Sequence, residues 1–88
     1  MGPTVLEEIN EKQYDEATVY LGSISSYLGV DKKGRIIRQI AGGGIATTDW
    51  DNRRIELSEQ TSLQVIEVVK HIIETEIRGP DSIKWTNP

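Results

Sequence analysis

The sequence predicts an α+β domain with a short N-terminal helix, an antiparallel meander of three to four strands and a long C-terminal amphipathic helix packed on one sheet face. Residues 58–79 repeat apolar side chains with a helical period. Residues 17–57 hold short alternating or β-branched segments between Asp, Asn and Gly turn signals. With 88 residues, we expect one domain over 1–88, with 1–3 and 80–88 extended or flexible.

The N-terminal helix is predicted from a capping pattern. Thr4 followed by Glu7 is the spacing of a capping box, and acidic residues in a first turn suit the helix dipole. A helix from Val5 to Gln13 follows. Because so short a helix is marginal alone, we expect it to dock on the core through its apolar side.

The first strands are predicted from a period of two. Ala17, Val19 and Leu21 alternate with less apolar residues, which predicts a half-buried strand that bends at Gly22. Residues 24–30 then read as a continued or second strand. Residues 31–34, Asp-Lys-Lys-Gly, have the composition of a tight turn.

Residues 35–41 are compatible with two elements. Ile36, Ile37 and Ile40 have the spacing of a short helix, but three β-branched residues directly after a turn favour a strand. The glycines at 42–44 end this element.

The next hairpin has clearer signals. Residues 45–48 read as a strand and 49–52 as a turn. Residues 53–57 read as a strand whose inward and outward side chains alternate. We expect Ile55 and Leu57 to face inward, and Arg54 and Glu56 to face outward.

The C-terminal helix is predicted to begin at a cap on Ser58 and to end at Gly79. Its apolar arc is wider than half of the helix, whereas one sheet covers roughly 100° to 140° of a helix. Either the N-terminal helix or a second copy of the chain covers the excess. We therefore expect a homodimer, with self-association through Val65, Val68, Val69 and Ile72.

Composition excludes several classes of protein. The net charge of −4 speaks against a general nucleic-acid binder. The absence of cysteine excludes disulfides and cysteine-ligated metals, and it fits a cytoplasmic location. No apolar run is long enough for a membrane helix, so we expect a soluble protein without a membrane anchor.

No catalytic, metal or cofactor site is predicted. His71 lies on the polar arc of the C-terminal helix, without converging partners. Residues 49–52 resemble a calcium loop only superficially, because the required glycine and bidentate glutamate are missing. The glycines at 42–44 precede a predicted strand, whereas a phosphate loop precedes a helix. We therefore expect no enzyme activity.

The predicted partner surface combines aromatic and arginine side chains on the outward sheet face and the neighbouring turn. Its residues are Tyr20, Arg38, Trp50, Arg53 and Arg54. Trp50 either folds over the core edge or faces a partner. The resulting hypothesis is a non-enzymatic protein-interaction or regulatory module that self-associates, such as a small inhibitor or adaptor. Single-stranded nucleic-acid binding and a small ligand-binding or enzyme subunit are the alternatives.

Overall fold

The computed structural model describes residues 2–75, which form two helices and one five-stranded antiparallel sheet. The elements are β1 (Thr4–Leu6), α1 (Glu11–Ser23), β2 (Ser25–Val30), β3 (Ile36–Ile40), β4 (Ile45–Asp49), β5 (Arg54–Leu57) and α2 (Leu63–Thr75). The strand order is β1-β5-β4-β3-β2, so α1 carries the chain from one edge strand to the other. The predicted α+β class, with a helix near the N-terminus, an antiparallel sheet and a C-terminal helix, is confirmed.

The N-terminal segment differs from its prediction. The helix predicted from Val5 to Gln13 is wrong, because Thr4–Leu6 is instead a strand that pairs with β5. The helix begins later, at Glu11, where the Asn10 side chain accepts a hydrogen bond from the backbone N–H of Lys12 at 2.9 Å. A side-chain acceptor at this position satisfies one of the free N–H groups of the first turn.

The strand predicted at residues 17–21 is also wrong, since these residues lie within α1. The buried residues of α1 follow a helical period, and they are Gln13, Tyr14, Ala17 and Leu21. Val19, which suggested alternation, is 72% exposed. The apparent period of two therefore came from one apolar residue that lies on the outer face of the helix.

The meander from β2 to β5 follows the sequence closely. Residues 35–41 hold a strand, as favoured, and Ile55 and Leu57 are fully buried. Gly34 closes the β2–β3 turn with a φ of +82°, a conformation that glycine adopts without steric cost. In the same turn, the Asp31 carboxylate accepts the backbone N–H groups of Lys33 and Arg35, each at 2.9 Å.

The glycines at 42–44 form the bend between β3 and β4. Gly44 has a φ of +102°, and a Cβ atom built there would lie 2.8 Å from Thr61 Cα. Both the backbone conformation and the close approach of the chain at Thr61 therefore require glycine at this position.

The helix start predicted at Ser58 is wrong by several residues. The Ser58 hydroxyl accepts the backbone N–H of Ile45 at 2.8 Å, and so it links the segment between β5 and α2 to β4. The Ser62 hydroxyl instead accepts the N–H of Val65 at 3.3 Å, at the start of α2. The predicted helix end at Gly79 and the extended segment 80–88 lie outside the described residues.

Residues from the sheet and both helices form one buried core. Its members are Ile9, Tyr14, Ala17, Leu21, Ile40, Ala46, Ile55, Leu57, Val65 and Val69. The most extensive contact of α2 is with α1. The buried side-chain amide of Gln13 joins the two helices by donating to the backbone carbonyl of Ile73. Packing of α2 on one sheet face stays a prediction.

Candidate binding surface

One end of the sheet is left open on the side that faces the core. Residues opposite each other in paired strands point to the same face. Arg38 pairs with Ala46, which pairs with the buried Leu57, so this row lies on the core face. Tyr27 extends the row because it pairs with Arg38. Its exposed fraction is nevertheless 59%, so residues 2–75 leave the core face largely uncovered where β2 and β3 run together.

Val30 and Ile36 give the same result one position further along. They pair with each other, and Ile36 pairs with the buried Thr48 on the core face. Val30 is 56% exposed and Ile36 is 36% exposed. We call the core-face residues Tyr27, Val30, Ile36 and Arg38 the open end of the sheet. The covered part of the same sheet face consists of four buried residues, Ile40, Ala46, Ile55 and Leu57.

A groove of about 250 Å³ lies between α1 and the open end. Thr18 and Val19 of α1 line one side, and Ile36 and Arg38 of β3 line the other. Trp50, in the β4–β5 turn, also lines this space, which we call the groove. Its lining is mainly apolar, with one cationic side chain. Such a groove can accept an apolar side chain and an acidic group together.

Trp50 is held on one side and open on the other. Its ring meets Tyr14 in an edge-to-face arrangement, with 5.8 Å between the ring centroids and 69° between the ring planes. The exposed fraction of Trp50 is 60%, whereas Tyr14 is buried. Burial raises the pKa of the Tyr14 hydroxyl, and the neighbouring Thr48 side chain opposes this by lowering it. The packed tyrosine therefore fixes the position of an indole that remains accessible.

The predicted arginines lie in different environments. Arg38 lines the groove, and among residues 2–75 it has no salt-bridge partner. Arg54 lies on the opposite sheet face, where it contacts Glu7 and Glu56, each at 3.2 Å. Partial burial lowers the pKa of Arg54, but the two carboxylates outweigh it and raise the pKa overall. Arg54 is therefore already paired within the chain, whereas Arg38 can bind a carboxylate of another molecule.

The predicted placement of the partner surface on the outward sheet face is wrong. Tyr20 belongs to α1 and is partly buried against the core, so it is not on the sheet. Arg53 is exposed in the β4–β5 turn, with a φ of +46°. The structure brings Trp50 and Arg38 together at the groove and places the other three predicted residues elsewhere.

The residues expected to mediate self-association are largely used within one chain. Val65 and Val69 belong to the buried core, and Val68 and Ile72 are half-buried. Since α1 packs against α2, the first helix covers part of the broad apolar face. The width of that face therefore does not by itself require a second copy.

Sequence reasoning missed the residues that line the α1 side and the open end of the groove. The sequence predicts Val19 in a half-buried strand, and it predicts Tyr27, Val30 and Ile36 only as members of strands. The only local signal for an exposed Val19 was the cap at Asn10, which sets the start of α1 and hence its buried face.

Other candidate sites were predicted to be surface, and their positions agree. His71 is exposed on α2, and Asp49 ends β4, with Trp50–Asn52 following in the β4–β5 turn. Within residues 2–75, no group of three or more His, Cys, Asp or Glu side chains is placed to hold a metal ion. None of the helices in that range is long and apolar enough to cross a membrane.

Comparison of the chain with protein-family models, with curated proteins and with solved structures gives no match. The groove and the open end of the sheet are therefore the basis for a functional proposal. Both lie on elements whose positions are fixed by the core.

Proposed function

We propose that this chain is a non-enzymatic protein-interaction module that binds a partner segment in the groove between α1 and β3. The observation that carries the proposal is a set of large apolar side chains that stay exposed. Val19, Ile36 and Trp50 line the groove, and Tyr27 and Val30 are the strand partners of its residues Arg38 and Ile36. Single exposed apolar residues are ordinary, but a contiguous group beside a concavity is typical of an interaction site.

The chemistry of the groove indicates which segment fits it. Val19 and Ile36 suit a large aliphatic or aromatic side chain, and Trp50 offers an anchored ring for stacking. Arg38 lies in the same space and can pair a carboxylate in bidentate geometry. The partner segment we propose therefore carries a bulky apolar residue next to Asp or Glu.

A role as a small inhibitor or adaptor is consistent with this proposal, because binding needs no group on the chain that reacts. The absence of cysteine is consistent with a cytoplasmic site of action. A stacking platform for single-stranded nucleic acid is less well supported. The sheet face opposite the core has no aromatic residue in β1–β5, and the chain is acidic overall.

The test is a selection of random displayed peptides against the full chain, followed by fluorescence titration of the selected peptides. Trp85→Phe leaves Trp50 as the sole tryptophan, so its emission reports on the groove. We expect enrichment of peptides that combine a bulky apolar residue with Asp or Glu. Val19→Glu should weaken their binding by about tenfold or more, since it brings an unpaired carboxylate into the contact.

Val5→Glu is the matched control, because it makes the same change on β1, at the far edge of the sheet. It should leave peptide affinity unchanged. Failure to select any peptide, or equal weakening by both variants, would contradict the proposal. Quenching of Trp50 by a single-stranded oligonucleotide, with strong dependence on salt, would support nucleic-acid binding instead.

A further inference from the structure

Among the strands of residues 2–75, β2 forms an edge of the sheet, and no other strand pairs with its outer side. The backbone N–H of Ala41 donates to the carbonyl of Ile24, and the N–H of Asp31 donates to the carbonyl of Arg35. In an antiparallel ladder, hydrogen-bonded and non-hydrogen-bonded positions alternate. Counting from these two bonds and across the bulge between Tyr27 and Gly29, the backbone groups of Ser25, Tyr27 and Val30 point away from β3.

This edge lacks most of the features that usually prevent pairing. Residues 25–30 contain no charged residue and no proline. Three large apolar residues of this strand are exposed, and they are Tyr27, Leu28 and Val30. The bulge is its one protective device, and it leaves a regular stretch over residues 25–27.

The opposite edge is protected. β1 has only three residues, follows Pro3 and is succeeded by Glu7 and Glu8. Pairing of a β2 edge with a β1 edge would be heterologous, and it would extend into an open filament unless its rotation closed a ring. Because β1 is short and flanked in this way, the β2 edge of a second copy is the better pairing partner for β2. That arrangement closes after two copies.

We infer that two copies of this chain pair antiparallel along β2 and form a closed dimer with a continuous ten-stranded sheet. A two-fold axis near Ser26 lets Ser25 and Tyr27 of each copy exchange backbone hydrogen bonds with Tyr27 and Ser25 of the other. An axis perpendicular to the sheet keeps the helices of both copies on one side. The two open ends then become neighbours across the axis.

Charge also favours this occupant over an unrelated strand. β2 is uncharged, so its symmetric pairing brings no like charges into direct opposition. Antiparallel pairing directs the turn that holds Lys32 and Lys33 in one copy towards the C-terminal end of α1 in the other. That helix end carries negative partial charge, and its last turn has no basic residue.

The inference is independent of the peptide proposed for the groove, and the test is the mass of the full chain in solution across a concentration series. Light scattering after size exclusion should show a monomer–dimer equilibrium. Tyr27→Lys should raise the dimer dissociation constant by about tenfold or more, because it places like charges close together near the axis. Val5→Lys, on the protected edge, should leave the constant unchanged.

Amide hydrogen exchange measures the paired edge directly. The outward N–H groups of Ser25 and Tyr27 should become protected as concentration rises, whereas Tyr27→Lys should abolish that dependence. A mass that stays monomeric throughout, or a dimer that is unaffected by Tyr27→Lys and lost in Val68→Lys, would overturn the inference. Circular dichroism of each variant separates loss of pairing from loss of folding, and Val19→Glu should keep the dimer even if it loses peptide binding.

Discussion

The covered part and the open end belong to the same face of one sheet, yet they use apolar residues differently. In the covered part, Ile55 and Leu57 are fully buried in the core. At the open end, Tyr27 and Ile36 occupy equivalent core-face positions and keep much of their surface exposed. The hydrophobic effect scales with the area removed from water. Apolar residues of the covered part therefore stabilise the fold, and those of the open end remain available for binding.

The strongest test of this comparison is a pair of truncations to alanine. Leu57→Ala should lower the free energy of unfolding by about 2–5 kcal/mol, because it creates a cavity in the core. Ile36→Ala should lower it by only about 1 kcal/mol, because Ile36 is already 36% exposed. Urea denaturation of both variants measures the difference. Equal losses would show that the open end is packed as tightly as the covered part.

The glycine bend between β3 and β4 provides a second test. Gly44→Ala should lower the free energy of unfolding by about 2–4 kcal/mol, since it adds a backbone clash with Thr61 to the cost of a positive φ. Gly42 also has a positive φ, of +90°, but a Cβ atom there would meet nothing within 4 Å. Gly42→Ala should therefore cost only about 1–2 kcal/mol.

Thermal unfolding of the two glycine variants separates packing from backbone strain. A larger loss for Gly44→Ala than for Gly42→Ala is expected if the chain around Thr61 holds the bend closely. Similar losses of stability in the two variants would mean that the turn at residues 58–61 shifts to make room for the added methyl group. The bend would then be packed as loosely as the open end.

The covered part was largely predictable from sequence, and the groove was not. Alternation placed Ile55 and Leu57 inward, and the Asp31 and Gly34 turn residues located the β2–β3 hairpin, because these signals are local. β1 has only three residues and forms through pairing with β5, far away in sequence. The groove likewise depends on Trp50 meeting Tyr14 and on α1 lying beside β3. Such non-local contacts leave no periodic pattern in the sequence.

The smallest expected effect concerns acid stability at the two hairpin turns. In the β2–β3 turn, next to the open end, a hydrogen bond from the backbone N–H of Arg35 is the main cause of the lowered pKa of Asp31. The Arg35 side chain and the backbone N–H of Lys33 lower this pKa further. In the β4–β5 turn, hydrogen bonds from the side chain and backbone of Asn52 lower the pKa of Asp49.

A carboxyl group whose pKa is lower in the folded chain stabilises folding above its unfolded pKa of about 3.9, and the stabilisation is lost as pH falls through the folded value. Thermal midpoints of Asp31→Asn and Asp49→Asn should therefore lie slightly below that of the original chain at neutral pH and converge with it as pH falls below the folded pKa of each carboxyl group. If only Asp49→Asn alters the acid dependence, the β2–β3 turn contributes little to folding. The stability of the core would then not depend on the open end.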